Sequence, residues 1–500
     1  MDVVLAGLSD ALTFGNLLWV LIGVALGQFV GAVPGMNAPM AIAVAVPFTF
    51  TMSPLAAIAF LVGVNKGGTV GGAIPAILIN TPGSADAAAT TLDGYPLAMA
   101  GKPGKALKMA LYSSVTGDTF SDMVLITVSA SLGALALRAG PAEIMALMIF
   151  ALTIIPGLVG RSMMRGLVAA FLGLLMGSVG LDQASGTPRL TFGLVELFDG
   201  LPLEAVAVGV LAVGEIFRQI FGTTKDAAAD QPKATAPTRG DQRLSLLEYL
   251  SCKVTLLRGA VIGTMVGAVP GAGSSAAAFL SYAIASRRSK TPEKFGSGAL
   301  EGIAAAESAN SAVVGSNMIP LLSLGIPGNV VAALILGAFI IHGIQPGPLM
   351  FQEQGRLCYG LFGAMIMANA MNLVIGLAGL RFWILVVRAP RTVIFPVALL
   401  LCVVGTYVVL GSMVGVALTL GFGVLGYLMR VYGFSVVPFI IAFFLGPGFE
   451  LSLIQFLVVS NGDVSFLLRR PVALTLLVLA GMSIWYFTFR RPVRGKGKTG

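Results

Sequence analysis

Charge is what this chain has least of. Only 11% of its 500 residues are Asp, Glu, Lys or Arg, against about a quarter in an ordinary soluble domain. Three cysteines, Cys252, Cys358 and Cys402, stand far apart with no C-x-x-C, which leaves neither a disulfide framework nor a thiolate metal site. The single histidine, His342, deprives zinc sites and Ser-His or Cys-His nucleophiles of their usual partners. No G-x-x-x-x-G-K-[ST] occurs, so the chain has no P-loop for ATP hydrolysis. The start carries Asp2 and Asp10 and no basic n-region, so no cleavable signal peptide is expected.

Apolar residues fill the gap. The chain is 56% hydrophobic with 64 glycines. Pro471 to Phe489 runs without a charge, about 28 Å as a helix, enough to cross a bilayer. The expected fold is an all-α polytopic membrane protein with about eleven or twelve transmembrane helices, some broken or re-entrant. Two of the shorter span candidates are Leu107 to Val115 and Met123 to Leu137. The net charge of +9 does not call for nucleic acid. The basic residues sit in short loops and after the last span, where Arg490, Arg491, Arg494, Lys496 and Lys498 place the C-terminus in the cytoplasm. Arg469 and Arg470 flank the other end of that span.

The sequence is organised around one repeated element. Gly23 to Gly35 reads GVALGQFVGAVPG and Gly259 to Gly271 reads GAVIGTMVGAVPG, 236 positions apart. Glycines every four residues lie on one helix face, where another backbone can approach. Pro-Gly then ends the helix inside an apolar segment. A second match follows at an offset of 245: Asn65, Ile74, Pro75, Pro82 and Gly83 against Asn310, Ile319, Pro320, Pro327 and Gly328. The division expected is two internally repeated halves, 1–221 and 246–500. They are joined by a polar linker, 222–245, whose composition cannot bury enough apolar area to fold alone.

Helices broken at matching places in two halves point to a substrate site at the breaks, because freed backbone groups need protein or water around them. The candidate substrate-binding residues are Pro34, Gly35 and Asn37 at the first break; Asn65 and Lys66; Asn80, Thr81, Pro82 and Gly83; Pro270, Gly271 and Ser274; and Asn310, Pro327, Gly328 and Asn329. A lysine within the membrane costs about 2.5–3.5 kcal/mol on insertion scales, so Lys66 either faces an anionic substrate or a partner, or lies in a loop or snorkels to the interface. Its counterpart is Ser311, and Glu307 is its candidate partner. Asn80-Thr81-Pro82-Gly83 offers amide and hydroxyl groups at a helix end, or else a simple turn. No firm metal site is read; unwound carbonyls near Asn80, Thr81, Ser316 and Asn317 would suit Na⁺.

The GAVPG elements, the tract Gly71 to Leu107 with Asn80–Gly83 and Asp93-Gly94-Tyr95-Pro96, and the later GIPG resemble the large membrane subunit of tripartite tricarboxylate transporters, the TctA family. The resemblance implies a bacterial inner-membrane carrier energised by Na⁺ or H⁺, with no other cofactor. It also implies a small four-span membrane subunit, a periplasmic substrate-binding protein and an organic carboxylate as substrate. A stand-alone anion carrier or a channel without a binding protein is the alternative. An intramembrane enzyme is not expected: Asp118 and Asp463 each follow glycine, without a convincing paired-aspartate motif.

Overall fold

The computed structural model describes residues 2–82, 84–159, 162–182, 185–221, 242–379, 382 and 391–489. Gly83, residues 222–241 of the linker and the basic C-terminal residues 490–500 lie outside the described residues.

Before the linker come α1 (Asp2–Ala11), α2 (Phe14–Ala32), α3 (Ala38–Ala45), α4 (Pro54–Ile79), α5 (Ala88–Met99), α6 (Pro103–Ala136), α7 (Pro141–Val159) and α8 (Met163–Gly177). A two-residue antiparallel ribbon, Gly180–Leu181 against Pro188–Arg189, precedes α9 (Leu203–Ala207) and α10 (Gly214–Phe221), which a π-helical stretch joins. After the linker come α11 (Leu246–Ser251), α12 (Lys253–Gly267), α13 (Gly273–Arg288), α14 (Leu300–Ser316), α15 (Met318–Leu324), α16 (Val330–Ile341), α17 (Met350–Glu353) and α18 (Gly355–Ala378). The last four are α19 (Arg391–Leu410), α20 (Met413–Val431), α21 (Val436–Val459) and α22 (Pro471–Phe489).

This is the all-α polytopic membrane architecture expected. Among the described residues eight helices are long and apolar enough to cross a membrane, and four shorter apolar helices accompany them. One expectation needs correcting. The two pieces Leu107–Val115 and Met123–Leu137 are one helix, α6, 34 residues long. The polar run between them does not interrupt the helix. Ser114, Asp118 and Asp122 recur every four residues, so they form one buried stripe on a continuous helix.

The chain divides into two compact units. The first joins Met1–Leu137 to Pro202–Tyr427, and the second joins Arg138–Leu201 to Leu428–Gly500. Each unit therefore takes segments from both sides of the linker. In the second unit, α7 and α8 pack against α21 and α22. The α8–α21 crossing is close because Gly173 faces the Phe439 carbonyl. Arg189 makes a two-pronged contact with Glu450 there, 2.7 and 2.9 Å. The first unit holds every candidate site residue. On its rim Lys105 Nζ donates to Glu248 Oε1 at 2.6 Å and holds that carboxyl below its usual range.

Candidate functional site

Two helix pairs build the site. In the first, α2 lies on α4 with glycine on both sides. A Cβ added to Gly23, Gly27 or Gly31 would come within 2.3, 2.2 and 2.5 Å of the carbonyl oxygens of Phe60, Val64 and Gly68. On the facing helix, a Cβ added to Gly67 or Gly71 would lie 2.2 or 2.6 Å from the carbonyl oxygens of Val24 and Gln28. In the second pair, α12 lies on α14. A Cβ added to Gly263 would lie 2.2 Å from the Ala309 carbonyl oxygen, and one added to Gly267 2.9 Å from the Val313 Cα. Val64 and Ala309, like Gly68 and Val313, are related by the same offset as Asn65 and Asn310. The two pairs are packed in the same register.

Both pairs end alike. Helix α2 stops at Ala32 and α12 at Gly267, and the last glycine of each GAVPG takes a left-handed conformation, φ +89° at Gly35 and +86° at Gly271. At the far ends of α4 and α15, Asn80 (φ +52°) and Gly325 (φ +72°) are left-handed as well. The next residue closes each turn: the N–H of Thr81 donates to Pro75 and that of Ile326 to Pro320, 3.3 and 3.2 Å. Asparagine and glycine are the residue types that enter this region most readily. Asn80 and Gly325 therefore do one backbone task, although their side chains differ.

The breaks are partly brought together. Gly271 N–H donates to the Gly328 carbonyl at 2.7 Å. Ser275 Oγ donates to Asp86 Oδ1 at 2.6 Å, which ties the segment after Pro82 to the segment after Pro270. Ser274 is half-buried beside it. Asn37 caps α3 by accepting the Met40 N–H at 3.0 Å, and Asn329 caps α16 by accepting the Ala332 N–H at 2.8 Å. Pro34 is buried, and Gly35 stands beside the Gln219 side chain. Helix α3 packs against α16, and α13 against α5, so each post-break helix of one half meets one from the other. Asn317, at the α14–α15 junction, lies against Gly328, and its Oδ1 is buried without a hydrogen bond. Ser316 Oγ is spent on the Ala312 carbonyl, and Thr81 Oγ1 on that of Ile79. Asn80 is exposed. Among the described residues no hydrogen bond joins Asn80 and Thr81 to Ser316 and Asn317.

Lys66 is neither in a loop nor at an interface. It sits mid-way along α4 and is fully buried. Nor is Glu307 its partner. The ammonium lies 2.8 Å from Asp122 Oδ2 and 3.1 Å from Asp118 Oδ1, and donates to Asn369 Oδ1 at 2.9 Å. Asn369 Nδ2 in turn donates to Asp122 Oδ2 at 2.7 Å. Asn372 Nδ2 holds the Lys66 carbonyl at 3.2 Å, and Gln28 Nε2 holds Asn372 through its carbonyl at 2.9 Å and its side-chain oxygen. Four helices, α2, α4, α6 and α18, thus converge on one buried polar network. The positive charge of Lys66 is compensated inside the protein.

Glu307 belongs to a second buried centre. Its oxygens accept hydroxyl bonds from Thr90 and from Ser114, the latter at 2.8 Å. It lies on α14, where Asn310 is buried with its Oδ1 unpartnered. Asn65, the counterpart of Asn310, is buried in α4. Asp93 of the D-G-Y-P motif is a fastener: it accepts the N–H groups of Gly298 and Ala299 at 2.9 and 2.8 Å and the Tyr282 hydroxyl at 2.8 Å. It thereby anchors the start of α14.

Comparison with known proteins identifies the chain at this point. The tripartite tricarboxylate transporter TctA family matches residues 17–441. The chain belongs to that family. It is 35% identical over 492 residues, 98% of its length and 96% of the relative's, to "Uncharacterized 52.8 kDa protein in TAR-I ttuC' 3'region" of Agrobacterium vitis. It is 36% identical over 217 residues, 43% of its length and 90% of the relative's, to "Uncharacterized protein in TAR-II ttuC' 3'region" of the same organism. No solved structure matches it. Family membership makes this TctA chain a multi-pass subunit of a tricarboxylate transporter.

The residues missed from sequence are Asp118, Asp122, Asn369, Asn372 and Gln28. The first two had a signal. Two carboxylates four apart in a stretch flanked by apolar sequence share a helix face, and such residues turn inward toward a partner. The other three carried none, because Gln28 lies 344 residues from Asn372 and Lys66 lies 303 from Asn369.

Proposed function

We propose that this chain is the large permease subunit of a tripartite, binding-protein-dependent secondary transporter. It takes up an organic carboxylate across the bacterial inner membrane at the expense of a Na⁺ or H⁺ gradient. The family match over residues 17–441 carries this reading. A small four-span membrane subunit and a periplasmic substrate-binding protein complete the system. The membrane part is built of two repeats, 1–221 and 246–500 with 222–245 between them, and the equal register of α2–α4 and α12–α14 supports that division. The basic residues after the last span keep the C-terminus in the cytoplasm.

The substrate carboxylates are received where the helices break and restart. Pro34, Gly35 and Asn37 frame the start of α3, and Pro327, Gly328 and Asn329 that of α16. Pro82, Pro270, Gly271 and Ser274 belong to the other two breaks, and Gly83 is assigned with them from the sequence. Helix starts offer N–H groups and a partial positive charge to an anion. Lys66, Asn65 and Asn310 act from behind this surface: Lys66 is tied to two aspartates, so its role is ion coupling rather than direct contact with the anion. The chain performs no covalent chemistry and uses no cofactor beyond the coupling ion.

The test is citrate flux in proteoliposomes that contain the chain and its small subunit, with and without the binding protein. Uptake that needs the binding protein, stops when the ion gradients are dissipated and shows counterflow is the expected result. Uptake without the binding protein would make the chain a stand-alone carrier. Flux without counterflow would make it a channel.

A further inference from the structure

The network around Lys66 does not balance. One ammonium faces two carboxylates, and all three are shut off from solvent. With every group ionised the site holds one negative charge too many in a low-dielectric interior, a state that costs several kcal/mol. Something positive must supply the difference. A second basic side chain, a metal cation and a proton are the three candidates.

Among the described residues no basic side chain is placed to do it; Lys108, also on α6, donates to the Gln242 carbonyl at 3.2 Å. Helix α4 carries no charge other than Lys66. On α6 itself Lys105 pairs with Glu248, and on α18 Arg356 pairs with Asp10 at 2.6 Å. Helix α12, which packs on α6, carries Lys253, exposed, and Arg258, half-buried; neither is within ion-pair distance of Asp118 or Asp122. The facing acids worsen the balance. Glu307 of α14 is bonded to Ser114, one turn before Asp118, and Asp93 of α5 is spent on the start of α14. Helix α15 is uncharged. A metal cation fares no better. The place between the two carboxylates, where a bridging cation would sit, is taken by the Lys66 ammonium. On the far side, Asp122 Oδ1 faces the α14 backbone so closely that a Cβ at Gly315 would lie 2.5 Å from it.

A proton needs only an oxygen without a donor. Both aspartates have one, since Asp122 Oδ1 also lacks a donor, but they differ in what the rest of the carboxyl receives. Asp122 Oδ2 accepts from both Lys66 and Asn369 and is held as a carboxylate. Asp118 has only the Lys66 ammonium, 3.1 Å from its Oδ1, and among the described residues no second donor reaches either of its oxygens. We propose that Asp118 binds a proton and that this proton is the coupling ion, an inference that rests on the ion-driven uptake proposed above. With the proton on, Asp118 is a neutral acid and Lys66 pairs with Asp122 alone. With the proton released, Lys66 is shared between two carboxylates and the site carries the excess charge. The step is protonation and nothing more: carboxylate plus H⁺ gives carboxylic acid. Because the site is sealed between α4, α6 and α18, proton exchange with either side requires those helices to part, which is the condition for coupling.

The test is infrared spectroscopy of the purified full chain in detergent at neutral pH, reading the carbonyl band of protonated carboxyl groups. The band is expected in the wild type, reduced in Asp118→Asn, displaced but present in Asp118→Glu, and unchanged by added NaCl. Glu307→Gln assigns whatever part belongs to the second buried acid. A band that stays whole in Asp118→Asn, or that NaCl abolishes in the wild type, overturns the proposal. Asp118→Glu keeps the test decisive if the asparagine variant does not fold. The measurement uses neither substrate nor partner. A wild type that shows the Asp118 band but moves no citrate contradicts the transport reading alone. A wild type that accumulates citrate without that band contradicts the proton site alone.

Discussion

Helices α4 and α14 occupy matching positions, each laid on a glycine-lined partner in the same register, yet one buries a base and the other an acid, and the two are accommodated differently. In α4 a lysine reaches two aspartates and an asparagine. In α14 a glutamate is held by the Thr90 and Ser114 hydroxyls and by the Asn310 side chain, with no cation beside it among the described residues. Both reach the same stripe on α6, Ser114 for the glutamate and Asp118 with Asp122 for the lysine, one helical turn apart. The seams differ too. Where α4 presents Gly63, Gly67 and Gly71 to α2, the matching positions of α14 are Ser308, Ala312 and Ser316. The fold is shared and the electrostatics are not. The two helix pairs share a packing rule while their polar centres differ, one an ion pair with a carboxylate to spare, the other an acid without a cation beside it among the described residues.

Three substitutions sharpen or break that comparison. The largest effect is expected for Lys66→Met, which leaves two buried aspartates without their cation. Removing one member of a buried ion pair costs about 3–5 kcal/mol, so the variant should unfold at much lower temperature in detergent or fail to accumulate. Lys66→Met combined with Asp122→Asn should recover most of the loss. A Lys66→Met protein as stable as the wild type would show that the network is not held by charge.

The next effect concerns the seams. Gly67→Ala puts a Cβ 2.2 Å from the Val24 carbonyl, where backbone must move; over-packing of this kind costs about 1–3 kcal/mol. Gly15→Ala, with nothing within 4 Å, is the control. The α14 counterpart of Gly67 is already alanine, Ala312, so a Gly67→Ala protein as stable as Gly15→Ala would mean that the α2–α4 seam does not depend on its glycine. The smallest effect is expected at Glu307→Gln, which keeps an acceptor for Thr90 and Ser114. It should change thermal stability by no more than about one hydrogen bond's worth, under roughly 1.5 kcal/mol. A loss as large as that of Lys66→Met would show that Glu307 is ionised and has a cation of its own.

Much of this was legible in the sequence, and the reasons are local. Glycine spacing and Pro-Gly stops placed the ends of α2 and α12, and the 245-residue offset aligned α4 with α14 and α15. The closures after Asn80 and Gly325 match because a left-handed residue is written as Asn or Gly. Asn37 and Asn329 stand where helix starts need caps. What was misread is non-local. The stripe Ser114, Asp118, Asp122 looked like a gap between two short spans because its polarity outweighed its period. Glu307 looked like the partner of Lys66 because the repeat aligned the two helices. The repeat does not say which third helix passes between them, and that helix is α6. Asn369 and Asn372 lie in an apolar span with no pattern to mark them.

The Lys66–Asp118–Asp122 network is proposed to link ion movement to solute movement. The most direct measurement is the ratio of citrate accumulation to citrate exchange in proteoliposomes that hold the chain, its small subunit and the binding protein under an imposed pH gradient. Asp118→Asn, which fixes the neutral form, is expected to exchange citrate while losing accumulation, so the ratio falls toward zero. An Asp118→Asn transporter that accumulates citrate as the wild type does would contradict the account.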